Sequence, residues 1–231
     1  MSKELLNLTN LFHKLATSGP KISVIENTDP VLKELSEIKD FDERVEFAKE
    51  QKGWKLLGTG SARAAFSVNQ KLVLKVAINE KGISQNQIEM DPDMQTPCTA
   101  KIYAADGGGR WILFQATKTI TEKRFKELTG MGFGSYCKAL WVKFDNNSDP
   151  HPPNDFEEIE NNPFFKCVCE LVLKNNLLLG DLTESKISSY GEVDGKVKVR
   201  DFGMDIFLYQ SSYADKSDNS SSSSSSAKSS T

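Results

Sequence analysis

Gly58-Thr59-Gly60-Ser61-Ala62-Arg63-Ala64-Ala65-Phe66-Ser67-Val68-Asn69-Gln70-Lys71-Leu72-Val73-Leu74-Lys75-Val76-Ala77 is the stretch from which the fold is read. Residues 64–68 and 71–77 have the composition of two strands around a tight Asn69-Gln70 turn. Alternation puts Leu72, Leu74 and Val76 on one face and Val73, Lys75 and Ala77 on the other. A Gly-x-Gly taken alone is an ordinary turn. The residues after the second glycine discriminate. A dinucleotide-binding loop must run into a helix whose N-terminus holds the pyrophosphate, and these glycines run into strand sequence. A Walker loop must close on Gly-Lys-Ser/Thr, which is missing here. Lys75 lies mid-strand, where an unpaired ammonium is costly to bury, so it needs a carboxylate partner or a path to solvent.

Downstream, residues 82–90 read as a helix that offers Glu89 as that partner. Strands come next at Ala100–Ala105 and Trp111–Ala116, split by a Gly107-Gly108-Gly109 turn. Residues 121–129 and 134–143 read as helices, and Asp145–Pro153, rich in proline, Asp and Asn, as a loop. A longer helix covers Phe164–Asn175. Leu177-Leu178-Leu179 then leads into Gly180-Asp181-Leu182, an aspartate at a strand-to-loop exit. A last strand, Lys196–Arg200, ends in Asp201-Phe202-Gly203. Upstream, Leu5, Leu8, Phe12 and Leu15 form the apolar stripe of a helix over 3–17. A second helix runs from Pro30 to Ile38 behind an Asp29 cap, and a third opens at Asp42 and ends by Gly53. Residues 1–53 are thus a helical N-terminal extension, 54–209 the main domain, and 210–231 a serine-rich tail whose composition cannot offset chain entropy.

Composition narrows the function classes. The chain has 231 residues, a net charge of −3 and 38% hydrophobic residues, as expected for an ordinary globular protein. Mild acidity argues against nucleic acid as a partner. No apolar run reaches membrane-spanning length, and the N-terminus lacks a signal-peptide core, so the expected location is cytoplasmic (host cytoplasm if viral). Cys98, Cys137, Cys167 and Cys169 are too scattered for a disulfide scaffold and are expected as reduced thiols. Cys167 and Cys169 point to different sides of a helix and make no metal pair. Neither His13 nor His151 sits in a motif.

The order glycine turn, strand lysine, helix glutamate, loop aspartate, strand-end Asp-Phe-Gly is that of the protein-kinase signature set. On Val73-Leu74-Lys75, Gly180-Asp181-Leu182 and Asp201-Phe202-Gly203, the chain resembles the protein-kinase-like superfamily over roughly residues 54–207. It does so in the compact style of small phage-encoded kinase-like proteins, and its Gly-Asp-Leu is similar to that of aminoglycoside phosphotransferase-type kinases. The resemblance implies an α+β, two-lobed fold with an antiparallel-sheet N-lobe and a minimal, mostly helical C-lobe. It implies ATP and Mg²⁺ as cofactors. Gly58, Thr59, Gly60 and Ser61 would cover the phosphates; Lys75, held by Glu89, would contact them; Ala65 and Val73 would pack on the adenine. Phe114, Gln115 and Ala116, running on to Thr117, would form the hinge that bonds the base. Asp181 would orient or deprotonate an acceptor hydroxyl, and Asp201 would hold the metal.

The departures bear on activity. Arg63 replaces the third glycine, Leu179-Gly180 replaces the His-Arg before the catalytic aspartate, and Lys186 stands where a metal-binding Asn is expected. Thr183, Ser185 and Ser188 are weak substitutes. No Ala-Pro-Glu segment or peptide-receiving helical platform comes after Gly203. Three readings stand: a minimal phosphotransferase acting on a Ser/Thr or small-molecule hydroxyl, a pseudokinase serving as a nucleotide-binding or protein-interaction module, and an unrelated viral structural or interaction protein. In the first, the serine-rich tail is a candidate acceptor.

Overall fold

The computed structural model describes residues 29–144, 151–183 and 187–212, and of Asp181 the backbone alone. The helix expected over 3–17, part of the 145–153 loop, Lys186 and the tail beyond 212 lie outside the described residues.

The strand alternation around Lys75 organises one lobe. Strands β1 (Lys55–Thr59), β2 (Arg63–Asn69), β3 (Leu72–Ala77), β4 (Ile102–Ala105) and β5 (Trp111–Gln115) form an antiparallel sheet of order β1-β2-β3-β5-β4. β3 is central. Lys75 lies opposite Ala65 on β2 and Ile112 on β5. Phe66, Leu72, Leu74, Val76 and Trp111 pack with Leu32, Leu35 and Ala48 from α1 (Pro30–Glu37) and α2 (Phe41–Glu50). Asp29 caps α1 as expected, whereas α2 is capped by Asp40 and not opened by Asp42. Residues 30–50 are therefore a layer on the outer face of the sheet, and Trp111 Nε1 donates to Ser36 Oγ on α1 at 2.7 Å. With that face covered, the opposite face, carrying Ala65, Val73 and Lys75, is left for the cleft.

Helix α3 (Glu80–Met90) comes after β3, its N-terminus capped by the Asn79 side chain. It packs tightly because of one glycine. A Cβ on Gly82 would sit 2.1 Å from the Ala62 carbonyl oxygen and 3.0 Å from Ala77. Gly82→Ala is therefore expected to destabilise the protein by about 1–3 kcal/mol as the helix is pushed off the sheet. Chemical denaturation checks this; an unchanged midpoint would refute the close approach.

The second lobe is mostly helical: α4 (Glu122–Thr129), α5 (Phe133–Phe144), α6 (Phe156–Asn161), α7 (Pro163–Asn175), α8 (Leu179–Thr183) and α9 (Ile206–Ser212). Its sheet is small: β6 (Lys118–Thr119), β7 (Tyr190–Val193) and β8 (Lys196–Val199), in that order. Phe125, Phe133, Tyr136, Phe165 and Tyr190 make its aromatic core. The molecule is thus α+β with an antiparallel-sheet lobe and a mostly helical lobe, the layout of the protein-kinase-like fold expected from the motifs.

Several elements differ from the sequence reading, and β1, β6 and α9 were not among those expected. Gly180-Asp181 lies within α8 and not at a strand exit. α6 occupies 156–161, where no element was expected. β7 pairs with β8 across Asp194-Gly195, whose φ values of 48° and 73° are those a two-residue hairpin turn requires. The expectation of reduced thiols also fails at one pair: Cys98 and Cys167 form a disulfide, while Cys137 and Cys169 are free. Among the described residues, no helix is long and apolar enough to cross a membrane.

Candidate functional site

A cleft of about 1130 Å³ lies between the lobes. β1 and the turn after it form one wall with Gly58, Thr59, Gly60 and Ser61. The sheet adds Ala65, Val73 and Lys75, the end of β5 adds Phe114 and Gln115, and the helical lobe adds Gly180 and Asp201. Most of the positions that the kinase resemblance picks out thus line one hollow. Glu89 stands behind it, fully buried. Ala116 is not on the wall; its N–H donates to the Lys71 carbonyl at 2.8 Å.

Each charged group is placed by its element. β3 presents Lys75 on the cleft face by alternation. α3 aims Glu89 inward, and Glu89 Oε1 lies 3.0 Å from Lys75 Nζ. The β7–β8 hairpin ends at Asp201. Phe202 is buried edge-on against Phe114, and its N–H donates to Glu89 Oε1 at 3.2 Å. Gly203 lets this turn lie on α3, since a Cβ there would come within 2.7 Å of the Gln85 carbonyl oxygen. Lys75 Nζ also donates to the Arg200 carbonyl at 2.9 Å and reaches Asp201 Oδ1 at 3.5 Å. It stands 4.3 Å from the centre of the Phe114 ring, a cation–π distance. One ammonium and two carboxylates, 126 residues apart at the extremes, therefore converge.

The sequence reading missed Arg63 as a site residue and noted it only as a missing glycine. Its guanidinium bridges the two carboxylates: Nη1 to Glu89 Oε2 at 2.6 Å and Nη2 to Asp201 Oδ1 at 2.5 Å, with Asn86 Oδ1 also 3.2 Å from Nη1. No local pattern marks it: the sequence shows only a cation where the third glycine is expected, at the start of β2. Arg200 also lines the cleft, its Nε donating to the Ser188 carbonyl at 2.7 Å.

These charges perturb one another. Partial desolvation in the cleft favours the neutral acid at Asp201, whose side chain is still 58% exposed, but the Lys75 and Arg63 charges outweigh it and pull the carboxyl down to about 2. Burial, with the neighbouring Arg63 charge, lowers the Lys75 ammonium below the usual lysine value, while Glu89 and Asp201 oppose the fall.

The Gly180-Asp181 backbone is fixed from below. Tyr190 Oη donates to the Leu182 carbonyl at 2.8 Å and lies 3.0 Å from Tyr136 Oη. Both phenols are fully buried, which raises their pKa values well above the usual tyrosine range. The expected hinge positions begin in the last residues of β5. β5 runs on to Gln115, so Phe114 is a strand residue whose ring closes the back of the cleft. The Gln115 N–H is bonded to the Lys101 carbonyl at 2.8 Å.

Of the expected Mg²⁺ ligands, Asp201 is in the cleft. No group of three or more His, Cys, Asp or Glu among the described residues is placed to hold a metal. Asp201 Oδ1 is already shared by Arg63 and Lys75.

No protein-family model matches the chain, and no curated protein is significantly similar to it. Among the solved structures that are similar over part of the chain are two kinases. One is the ternary complex of streptomycin, ATP and APH(2")-IIa, at a TM-score of 0.36 and 14% identity, over 71% of this chain and 70% of that one. The other is a choline/ethanolamine kinase family protein from Mesorhizobium loti, at a TM-score of 0.35 and 12% identity, over 75% of this chain and 66% of that one.

Proposed function

We propose that the cleft binds a nucleoside triphosphate, ATP being the type case, and that the protein is a nucleotide-binding module of the kinase-like kind with impaired phosphoryl transfer. The observation that carries this is Lys75, held by buried Glu89 and directed into the cleft between the glycine turn and Asp201. An ammonium fixed there meets phosphate oxygens at little cost in ordering. Val73 and Ala65 give the apolar surface on which a base can lie. Against efficient turnover stand the Arg63–Asp201 ion pair and Lys186 in place of a metal-binding Asn.

A second reading is transfer of the γ-phosphoryl group to a Ser/Thr or small-molecule hydroxyl. It is favoured by Gly180, which lines the same cleft as Asp201 and brings the Asp181 backbone to its edge. Intact-mass and ADP-release measurements on wild type and Asp181→Ala separate the two. Turnover lost in Asp181→Ala supports transfer; no turnover with retained binding supports the binding module.

Thermal unfolding with ATP, in buffers with and without Mg²⁺, tests the shared premise. At 100 times Kd a ligand adds about 2.7 kcal/mol to the native state. For a domain of this size that is a rise in Tm of about 5–10 °C. The rise is expected in wild type and lost in Lys75→Ala. No rise in either buffer would overturn the proposal.

A further inference from the structure

We infer that Arg63 takes the place of a divalent cation in this cleft, so that the protein binds nucleoside polyphosphates without metal. The inference rests on the nucleotide-binding reading above and specifies what neutralises the ligand. Three observations lead to it.

The first is the occupation of Asp201. Its Oδ1 is within ion-pair distance of two protein cations, Arg63 and Lys75. A divalent ion at Asp201 would sit on a carboxylate whose charge these two cations already answer, and no group of three or more His, Cys, Asp or Glu among the described residues stands beside it, so its other ligands would be phosphate oxygens and water.

The second is the charge on the walls. Among the described side chains that line the cleft, Arg63, Lys75 and Arg200 are cationic and Asp201 alone is anionic. Glu89 lies behind the wall and is paired with both Arg63 and Lys75. Among the described side chains the balance at this end of the cleft is therefore positive without a metal, where a cleft with a single lysine and several carboxylates needs one to reverse its sign.

The third is preorganisation. Arg63 is 10% exposed and anchored on Glu89, which is 0% exposed, while its other Nη faces Asp201, which is 58% exposed to the cleft. The guanidinium is thus fixed on its buried side, and on the other side its Nη2 partner is a carboxylate that water reaches and that a phosphate oxygen can replace. The Arg63 carbonyl accepts the Gly60 N–H at 2.8 Å, so the glycine turn and this guanidinium form one unit on one wall.

Calorimetric titration of the full chain with ATP, in EDTA and in Mg²⁺, tests the inference. Affinity in EDTA should equal or exceed that in Mg²⁺. Arg63→Gln should weaken ATP binding in EDTA about tenfold or more, the loss of one charged hydrogen-bonding group. Asp201→Asn should tighten binding in EDTA about twofold to fivefold, by releasing the guanidinium from a solvent-exposed competing ion pair; a metal-dependent site would instead lose Mg-ATP. Should Arg63→Gln fail to fold, as its ligand-free melting would reveal, Asp201→Asn decides alone. Binding that requires Mg²⁺, or that falls in Asp201→Asn, overturns the inference and leaves the nucleotide reading standing. No binding in either buffer overturns both.

Discussion

Glu89→Ala is expected to lower the unfolding free energy by about 3–5 kcal/mol, the cost of removing one partner from a buried ion network. Glu89 has no solvent exposure and makes three contacts of consequence: Arg63 Nη1, Lys75 Nζ and the Phe202 N–H. Without it the one anionic side chain that these two cations, 10% and 13% exposed, keep among the described residues is Asp201, which is more than half exposed and therefore screened by water. The Phe202 amide loses its acceptor as well, and with it the Asp-Phe-Gly turn loses its tie to α3. A double variant separates these causes. Adding Arg63→Gln to Glu89→Ala removes one of the stranded charges and should recover part of the loss, a coupling that a cycle of single and double variants measures directly. Urea denaturation reads both. A cost under about 1 kcal/mol for Glu89→Ala would mean that the network is solvated and that Glu89 does not hold Lys75 in place.

This network also shows what the sequence could and could not disclose. Strand alternation put Lys75 on the cleft face and Leu74 in the core, because a period of two leaves no choice once one face is buried. Glu89 was legible as the partner for Lys75 because a mid-strand ammonium needs one nearby. Arg63 was legible only as a missing glycine. Its function as a bridge depends on Asp201, 138 residues away, and no local pattern reports a distance of that kind. The same holds at β5. The strand was legible over Trp111–Ala116 and ends at Gln115, and what the sequence does not report is that the Gln115 and Ala116 N–H groups are taken by the Lys101 and Lys71 carbonyls. β7 was missed although Asp194-Gly195 is a strong hairpin signal, since Gly191 breaks the apolar alternation of Tyr190–Val193. That glycine is there for contact: a Cβ would lie 2.2 Å from Thr117 Oγ1. α8 was missed for a different reason. Leu177-Leu178-Leu179 is a short apolar run, in which periodicity cannot separate strand from helix. Leu177 in fact bridges Asp205 while Leu179 begins the helix.

Removing the Cys98–Cys167 disulfide should produce the other large loss of stability, about 2–4 kcal/mol. The bond closes a segment of 69 residues, long enough for the entropy restored to the unfolded chain to be substantial. Its position adds a native-state contribution. Cys98 is nearly fully buried, and its carbonyl accepts the Val199 N–H at 2.7 Å. Cys167 lies on α7, the long helix that carries Phe165, Val168 and Leu171 into the core of the helical lobe. The bond therefore fastens α7 to the segment that pairs with β8, and β8 is the strand that delivers Asp201 to the cleft. Cys98→Ser with Cys167→Ser, compared with reduction of the wild type, distinguishes loss of the cross-link from loss of packing. Both should lower the denaturation midpoint, and reduction alone should leave the buried surface of the core intact. The loss should also carry to function: a looser β8 lets Asp201 and Arg200 move, so ATP affinity should fall in the reduced protein even where it remains folded. Equal stability of the oxidised and reduced forms would show that the α7 packing holds this region without the bond.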